Sequence, residues 1–300
     1  MQIVKKSKIW FSISFAFIFF SLATLVYTNI TINNFLRYGL DFTGGTLMEI
    51  TITDQTKTTQ NIQQALEKYL EYTPTVQATE AGSFLIKMKN ISNEVHQDIM
   101  QTLTTKLGTL EENKFITIGP SIGETLKKKA FFTLIIALVV IVIYIAFAFR
   151  GMQKKLSSWK FGLSAIIALA HDSFITIGIF TFLGIFLNAE IDALFITAIL
   201  TIMGFSVHDT IVTFDRIREN VRFARSNESL EDIAEKSIKQ TITRSINTSL
   251  STLFPLISLF FFGSSTIQMF VLTLIIGIII GTYSSIFLAT PILVKWQKKI

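Results

Sequence analysis

The sequence predicts an α-helical polytopic membrane protein with six transmembrane helices, both termini in the cytoplasm, and an external α+β domain between the first two helices. Half of its 300 residues are hydrophobic, only 16% are charged, and the mean hydropathy is +0.52. A soluble domain is less apolar and more highly charged. Six apolar runs are long enough to cross about 30 Å of hydrocarbon, and a long polar stretch separates the first two runs.

Charge and cysteine content exclude several classes of function. The net charge of +6 lies largely in loops beside apolar helices, which is typical of membrane topology rather than of a nucleic-acid-binding surface. The chain has no cysteine. Disulfide frameworks, thiol chemistry and cysteine-based metal sites are therefore excluded.

The predicted spans follow from the lengths of the apolar runs. The fifth is short, so we expect its helix to start nearer Ser245, with Pro255 as a kink. The last contains Gly277, Gly281, Ser284 and Ser285, small residues suited to close packing against another helix. The six spans cover approximately residues 9–28, 130–149, 161–187, 193–214, 248–262 and 267–294.

The first span is interpreted as an uncleaved anchor. Lys5, Lys6 and Lys8 precede it as in a signal peptide, but the apolar run is long for one and has no clear small-x-small cleavage site. The predicted domains are therefore an N-terminal anchor helix at 1–28, an external domain at 29–129, and a five-helix membrane domain at 130–300.

Lysine and arginine counts predict the orientation. Segments 1–8, 150–160, 215–244 and 295–300 carry 3, 4, 7 and 3 of these residues, which is 17 of the chain's 27. The short loops at 188–192 and 263–266 carry none. Basic loops remain in the cytoplasm, so both termini are placed there. Lys127, Lys128 and Lys129, at the outer end of the second span, are a local exception.

The pattern of the external segment predicts a small domain with the element order β-α-β-β-α-β. Met48, Ile50 and Ile52 alternate with polar residues as in a half-buried strand. Helical stripes follow Thr58 or Thr59 and again Ser92, each a suitable N-cap. Further strands are expected at 75–79, 84–88 and 115–118. This order is the split βαβ, ferredoxin-like arrangement.

A cytoplasmic amphipathic helix is predicted near 229–244. It starts at Ser229, with Asp232 placed for a capping box. Its apolar stripe is expected to lie along the membrane surface and to run into the fifth span. Arg244 then lies at or just within the cytoplasmic interface.

Two similar His-Asp pairs are the strongest candidates for chemistry. His171-Asp172 lies in the third span and His208-Asp209 in the fourth. An aspartate in hydrocarbon costs about 2.5–3.5 kcal/mol, which favours a functional role, here binding or transferring a proton. The alternative is that each aspartate only joins neighbouring helices by hydrogen bonds. Arg244 is the candidate counter-charge, or equally an interfacial arginine with no role in the site.

Other kinds of site fit less well. Adjacent histidine and aspartate side chains are expected on different faces of a helix, which argues against metal binding. An intramembrane protease using Asp172 and Asp209 has no further support. The glycine-rich stretch 39–45 precedes a strand rather than a helix, so it is interpreted as a turn and not as a phosphate loop.

Five motifs, in order along nearly the whole chain, resemble the SecD/SecF family of protein-export membrane proteins, within the resistance-nodulation-division superfamily. GLDFTGG and HDT-x-V-x-FDRIREN are specific together. The motifs are GLDFTGGT at 39–46, IGPSIGETL at 118–126, ALAHDSFITIG at 168–178, GFSVHDTIVTFDRIREN at 204–220 and TRSINTSLSTL at 243–253.

The resemblance implies a function in protein export across the bacterial inner membrane. It implies a companion subunit, SecD, that contributes a related six-helix half, association with the SecYEG channel and often YajC, and unfolded secretory polypeptides as substrate. The ATPase SecA would push the polypeptide first, and proton flow would then drive the external domains to pull it. It implies no catalysis and no cofactor besides the proton gradient, and no nucleic acid.

Site residues follow from the resemblance position by position. Asp209 matches the family's functional aspartate, Asp172 the aspartate of the third-span motif, and Arg244 the arginine before the fifth span. His208 stands where the family often has asparagine, and either side chain would orient Asp209. In the external motif, Asp41 matches the family's aspartate, and Gly39, Gly44 and Gly45 match its glycines.

Two other interpretations remain open at this point. One is a proton-driven exporter of a lipid or small molecule from the same superfamily, although such proteins usually carry both six-helix halves on one chain. The other is a purely structural subunit of the channel, in which Asp209 serves helix packing. Replacing Asp209 with asparagine would separate these interpretations, because a structural role predicts that assembly fails as well as activity.

Overall fold

The structure is a computed structural model that describes residues 2–54, 56–67, 70, 72, 74–79, 82–150, 157–225 and 228–297. The chain divides into two compact units. One comprises Met1–Arg37 and Phe132–Ile300 and contains most of the membrane helices, and the other comprises Tyr38–Phe131.

In the part of the chain that the structure describes, six helices are long and apolar enough to cross a membrane, as the sequence predicts. In chain order they are α1 (Ser7–Ile32), α5 (Pro120–Ala148), α6 (Ser158–Leu187), α7 (Ala193–Arg222), α8 (Leu230–Phe262) and a final helix made of α9 (Ser265–Ser284), a π-helical turn (Ser285–Ala289) and α10 (Thr290–Gln297).

The centre of the bundle consists of α6, α7 and the final helix. In their most apolar stretches 50%, 50% and 56% of residues are buried, whereas in α5 only 6% are. A helix that is apolar on all sides and little covered by protein is suited to a lipid environment. Polar side chains that are buried in these three central helices are therefore shielded from lipid.

Several helices extend beyond their predicted spans. The helix predicted from residue 130 begins at Pro120, and the one predicted to end at residue 214 continues to Arg222. Proline is well tolerated in the first turn of a helix because that turn has no use for its missing N–H. Span prediction counts only apolar residues, so it misses helical turns that continue into water.

The predicted helix near 229–244 forms the first part of a longer helix. Residues 230–262 form one uninterrupted helix that includes Pro255. Ser229 caps it by accepting a hydrogen bond from the Asp232 N–H at 3.2 Å, as predicted. However, Ile233, Ala234 and Ile238 of its apolar stripe are buried within the protein. These three residues therefore pack against other parts of the chain, whereas Ile246 of the same stripe is exposed.

Among its described residues, the second unit contains a four-stranded antiparallel sheet, one short helix and two longer helices. In chain order its elements are α2 (Leu40–Thr43), β1 (Gly45–Ile52), α3 (Thr59–Leu66), β2 (Thr75–Ala78), β3 (Ser83–Met88), α4 (Asn93–Leu107) and β4 (Leu110–Ile118). From β1 onward this confirms the predicted order β-α-β-β-α-β. The strands lie in the order β2-β3-β1-β4, so each strand–helix–strand connection skips one position in the sheet.

This unit has a hydrophobic core of its own. Met48, Ile50 and Ile52 of β1 are buried, as their alternation predicts, and Ile86 and Met88 of β3 join them. Ser92 caps α4 by accepting from the Val95 N–H at 3.3 Å. The sequence also predicts Tyr69 on the apolar face of the first of these helices, and this residue lies outside the described residues. The remaining core comes from α3 and α4 and includes Ile62, Leu66, Ile99, Leu103 and Leu107.

Candidate functional site

Asp209 lies on α7 with only 5% of its surface exposed. Its carboxylate accepts two hydrogen bonds from serines on other helices. Ser245 Oγ of α8 donates to Oδ1 at 2.6 Å, and Ser285 Oγ of the π-helical turn donates to Oδ2 at 2.6 Å. The aspartate thus joins three helical segments at one point.

Asp172 lies on α6 and is fully buried. Its Oδ2 accepts from Ser206 Oγ of α7 at 2.5 Å and from Ser284 Oγ of α9 at 2.6 Å. Its Oδ1 is 2.9 Å from Nδ1 of the adjacent His171. The expectation that these neighbours diverge is wrong, because the imidazole turns back onto the carboxylate.

His171 is itself buried. Its ring stacks on Tyr283 with centroids 6.5 Å apart, and its Nε2 has no hydrogen-bond partner among the described residues. An unpaired buried nitrogen is energetically costly. The pair formed by His171 and Asp172 therefore has one polar atom free to bind a proton or a water molecule.

The two aspartates belong to one cluster. Ser284 and Ser285 are consecutive residues, and one contacts each carboxylate. Ser206 lies three residues before Asp209 on the same helix, so α7 supplies a donor to one carboxylate and carries the other. We call Asp172, Asp209 and their partners Ser206, Ser245, Ser284 and Ser285 the aspartate–serine cluster.

Small residues allow the final helix to pack closely against α7, as the sequence predicts. A Cβ at Gly277 would come within 2.8 Å of Ile202 Cγ2, and a Cβ at Gly281 within 3.1 Å of Ser206 Cβ. Close backbone approach through glycine is typical of membrane helix interfaces. The π-helical turn begins at Ser285, and such turns are frequent at functional sites.

No lysine or arginine contacts either carboxylate in the described part of the chain. Arg244, the predicted counter-charge, is exposed although its neighbour Ser245 is buried. It lines a cleft of about 310 Å³ together with Asp215, Arg216 and Glu219. His208 is also exposed, while Asp209 beside it is buried. A pairing of Arg244 with Asp209 and a role for His208 remain predictions.

Hydroxyl partners give the cluster a specific chemical capacity. A serine can donate to a carboxylate, or it can accept from a protonated carboxyl, by rotating its O–H. Both protonation states can therefore be hydrogen-bonded without moving a heavy atom. An arginine partner would lack this property because it only donates.

The external motif is a tightly packed corner of the second unit. The stretch interpreted as a turn forms the one-turn helix α2, with Gly39 as its N-cap and Asp41 in its first turn. Gly44 and Gly45 have φ values of 70° and 139°, which a side chain would strain. A Cβ on Gly44 would also come within 2.8 Å of Pro120 Cα, so the motifs at 39–46 and 118–126 pack together.

The serine partners are what sequence reasoning missed. From the sequence, Ser284 and Ser285 are predicted only to allow close helix packing. Ser206 lies within the motif of Asp209, and Ser245 within the motif of Arg244. The available signal was a serine on the same face as an aspartate within an apolar span, as with Ser206 and Asp209 one turn apart.

Fold and site together define a polytopic membrane protein with two titratable carboxyl groups buried at the centre of its helices and a separate α+β unit. Comparison with known proteins identifies the group. The family model described as "Protein export membrane protein SecD/SecF, C-terminal" matches residues 96–299, and the "SecD/SecF GG Motif" matches residues 36–55. The chain belongs to the SecD/SecF family of bacterial inner-membrane proteins.

Several relatives bear the name protein translocase subunit SecF. The one from Thermobaculum terrenum is 40% identical over 276 residues, which is 88% of this chain and 86% of the relative. The one from Anaerolinea thermophila is 34% identical over 300 residues, which is 99% of this chain and 94% of the relative.

A solved structure is also similar to the chain. The crystal structure of SecDF from Thermus thermophilus, described as a translocon-associated membrane protein, matches with a TM-score of 0.84 and 29% identity. The match covers 99% of this chain and 39% of the SecDF chain. The chain therefore spans about two fifths of SecDF and nearly the full length of the SecF relatives.

Proposed function

We propose that this chain is a subunit of the bacterial protein-export machinery that works with SecD and uses the proton motive force to promote late export through the SecYEG channel. SecA acts earlier on the same unfolded polypeptide, and YajC accompanies the complex. The names of the relatives support the translocation part. The aspartate–serine cluster, with two carboxyl groups buried without a cation, supports the proton-driven part.

The central observation is that both of these buried residues are aspartate rather than asparagine. A carboxylate in hydrocarbon costs about 2.5–3.5 kcal/mol. Asparagine would accept a serine hydrogen bond through its side-chain oxygen without that cost. A purely structural joint between helices therefore has a cheaper solution, whereas reversible proton binding requires the carboxyl group.

Proton movement supplies enough energy to change a conformation. One charge crossing about 100 mV yields about 2.3 kcal/mol, which biases an equilibrium between two states that differ by a few kcal/mol. In this proposal Asp209 takes up a proton from one side of the membrane and releases it to the other. The resulting change in helix packing moves the external unit, which acts on the emerging polypeptide.

The test is Asp209→Asn, reconstituted in vesicles with SecD and the SecYEG channel. Completion of a translocating substrate is followed after a proton gradient is imposed. We expect the complex to purify intact and the gradient-dependent acceleration to be lost. Normal gradient dependence would overturn the proposed role of Asp209 and leave this chain a scaffold.

A matched control lies on the same helix. Asp215 is half-exposed and pairs with Arg218 at 2.6 Å, so Asp215→Asn removes an acidic group outside the cluster. Its export rate is expected to equal that of the wild type. If Asp209→Asn instead prevents assembly, the structural interpretation is supported. If gradient-dependent transport of a lipid or small molecule persists without SecYEG, the exporter interpretation is supported.

A further inference from the structure

Ser284 and Ser285 differ from the other serines of the cluster in having a second acceptor. Ser284 Oγ lies 2.6 Å from Asp172 Oδ2 and 3.2 Å from the Gly281 carbonyl oxygen. Ser285 Oγ lies 2.6 Å from Asp209 Oδ2 and 3.1 Å from the Thr282 carbonyl oxygen. Each hydroxyl can therefore turn from a carboxylate to a carbonyl of its own helix.

Ser206 and Ser245 lack this alternative. Among the described residues, Ser206 Oγ donates to Asp172 and Ser245 Oγ donates to Asp209, with no carbonyl as a second acceptor. When an aspartate gains a proton, its new O–H must donate to a neighbour. Ser284 or Ser285 can accept it and redirect its own hydrogen to the backbone without losing a bond.

The two hydroxyls also meet at one backbone carbonyl. The Gly281 oxygen accepts the Ser285 N–H as well as the Ser284 hydroxyl. A change at Ser284 therefore alters the hydrogen bond that holds Ser285 where the π-helical turn begins. Hydrogen bonds that share an acceptor influence one another, especially where the surroundings are apolar.

We propose that Ser284 and Ser285 are positioning residues that couple the protonation of Asp172 to the protonation of Asp209 through the start of the π-helical turn. This inference rests on the proposed function for its biological use. It adds that the two aspartates act as one coupled site, with the final helix responding to both.

Few charged or titratable groups of the described residues face the aspartate–serine cluster. From α6 the cluster is faced by His171, and from α9 by Tyr283. Lys8 of α1, His208 of α7, Arg244 of α8 and Lys295 of α10 are exposed. The buried Glu235 of α8 accepts from the Val4 N–H at 2.6 Å and not from a group of the cluster.

The coupling can be measured on the purified full chain in lipid nanodiscs. Infrared difference spectra during a pH titration report the carbonyl stretch of each protonated carboxyl, and Asp172→Asn and Asp209→Asn assign the bands. In coupled sites, neutralising one group shifts the titration midpoint of the other. We expect Asp172→Asn to shift the midpoint of Asp209 in the wild-type background.

The decisive comparison repeats this in the double variant Ser284→Ala with Ser285→Ala. The shift is expected to fall to less than half, because only direct electrostatic coupling remains, as in a double-mutant cycle. Ser249→Ala is the matched control, since Ser249 Oγ of α8 lies 2.6 Å from Thr282 Oγ1 of α9 and does not touch a carboxylate. It is expected to leave the shift unchanged.

Two outcomes would overturn the inference: an undiminished shift in the double alanine variant, or an equal reduction in Ser249→Ala. If the double variant does not fold, Ser284→Ala and Ser285→Ala are titrated as single variants. An undiminished shift in both single variants, or an equal reduction in Ser249→Ala, then overturns the inference. The readout involves no export. Failure of the serine coupling is thus distinguishable from failure of the proposed function, which Asp209→Asn tests by transport.

Discussion

Asp172 and Asp209 share a cluster but differ in their surroundings. Asp172 has a donor from each of three helices and is 0% exposed, whereas Asp209 has two serine donors and is 5% exposed. Removing the Asp172 carboxylate breaks more hydrogen bonds than removing that of Asp209. We therefore expect Asp172 to contribute more to stability and Asp209 to be the more accessible to protons.

Truncation of Asp172 tests its structural contribution. Asp172→Ala leaves Ser206 Oγ and His171 Nδ1 without their acceptor, while Ser284 Oγ keeps the Gly281 carbonyl oxygen. Each unsatisfied buried group costs about 1–3 kcal/mol in general, although hydrogen bonds between membrane helices average nearer 0.6 kcal/mol. We expect the free energy of unfolding in mixed detergent micelles to fall by about 2 kcal/mol. Asp172→Asn should lose less, because its amide oxygen still accepts.

Asp215→Ala is the control for this measurement. Its ion pair with Arg218 is largely exposed, and such pairs contribute about 0–1 kcal/mol. If Asp172→Ala unfolds at the same denaturant concentration as Asp215→Ala, the hydrogen bonds of the cluster do not stabilise the bundle.

Sequence reasoning identified the carboxylates of the cluster but not their partners. A buried aspartate is conspicuous because its cost in hydrocarbon is high. A serine in a membrane helix is not conspicuous, because it also serves close packing or bonds its own helix, as Ser249 does toward the Ser245 carbonyl. Which serine faces an aspartate depends on helix rotation, and the consecutive residues 284 and 285 contact different helices.

At the scale of elements, the contact between α1 and α6 depends on one glycine. A Cβ on Gly178 would lie 2.6 Å from the backbone Cα of the buried Ser21. The Gly178 carbonyl also accepts the Thr24 hydroxyl at 3.1 Å. Because the obstructing atom belongs to a backbone, the helices must separate if a side chain is introduced.

Gly178→Ala is therefore expected to destabilise the bundle. Overpacking of a well-packed interface typically costs about 1–3 kcal/mol, and the free energy of unfolding in mixed micelles measures it. Gly162→Ala on the same helix is the control, since its Cβ would make an ordinary 3.6 Å contact with Ile145 Cγ2. Replacing a helical glycine there should be neutral or stabilise by about 0.5–1 kcal/mol. Equal effects of the two substitutions would contradict this account of the interface.

Elements with a strong local pattern were predictable, and those decided by packing were not. The strand at Met48–Ile52 and the cap at Ser92 follow from alternation and hydrogen-bonding chemistry within a few residues. The first half of α8 has an amphipathic pattern that fits a membrane surface or a protein surface equally. Its real neighbour includes the N-terminal segment, where the Val4 N–H donates to Glu235 Oε1 at 2.6 Å.

At the scale of the whole molecule, an even number of spans places both termini on one side, and the distribution of lysine and arginine selects the cytoplasm. The positive charges at 127–129 oppose this choice locally. The long segment they follow can be exported whatever its charge. The orientation therefore depends on the basic segments at 150–160 and 215–244 outweighing this group.

The absence of cysteine makes the orientation directly measurable. Gln101→Cys places a single thiol on the exposed surface of α4, and Arg225→Cys places one between α7 and α8. In spheroplasts, a membrane-impermeant maleimide is expected to label the first variant at once and the second only after the membrane is permeabilised, because a charged reagent cannot cross hydrocarbon. The unmodified chain gives no background. The reverse pattern would place the α+β unit in the cytoplasm, where it has no access to an emerging polypeptide, and would overturn the proposed pulling role.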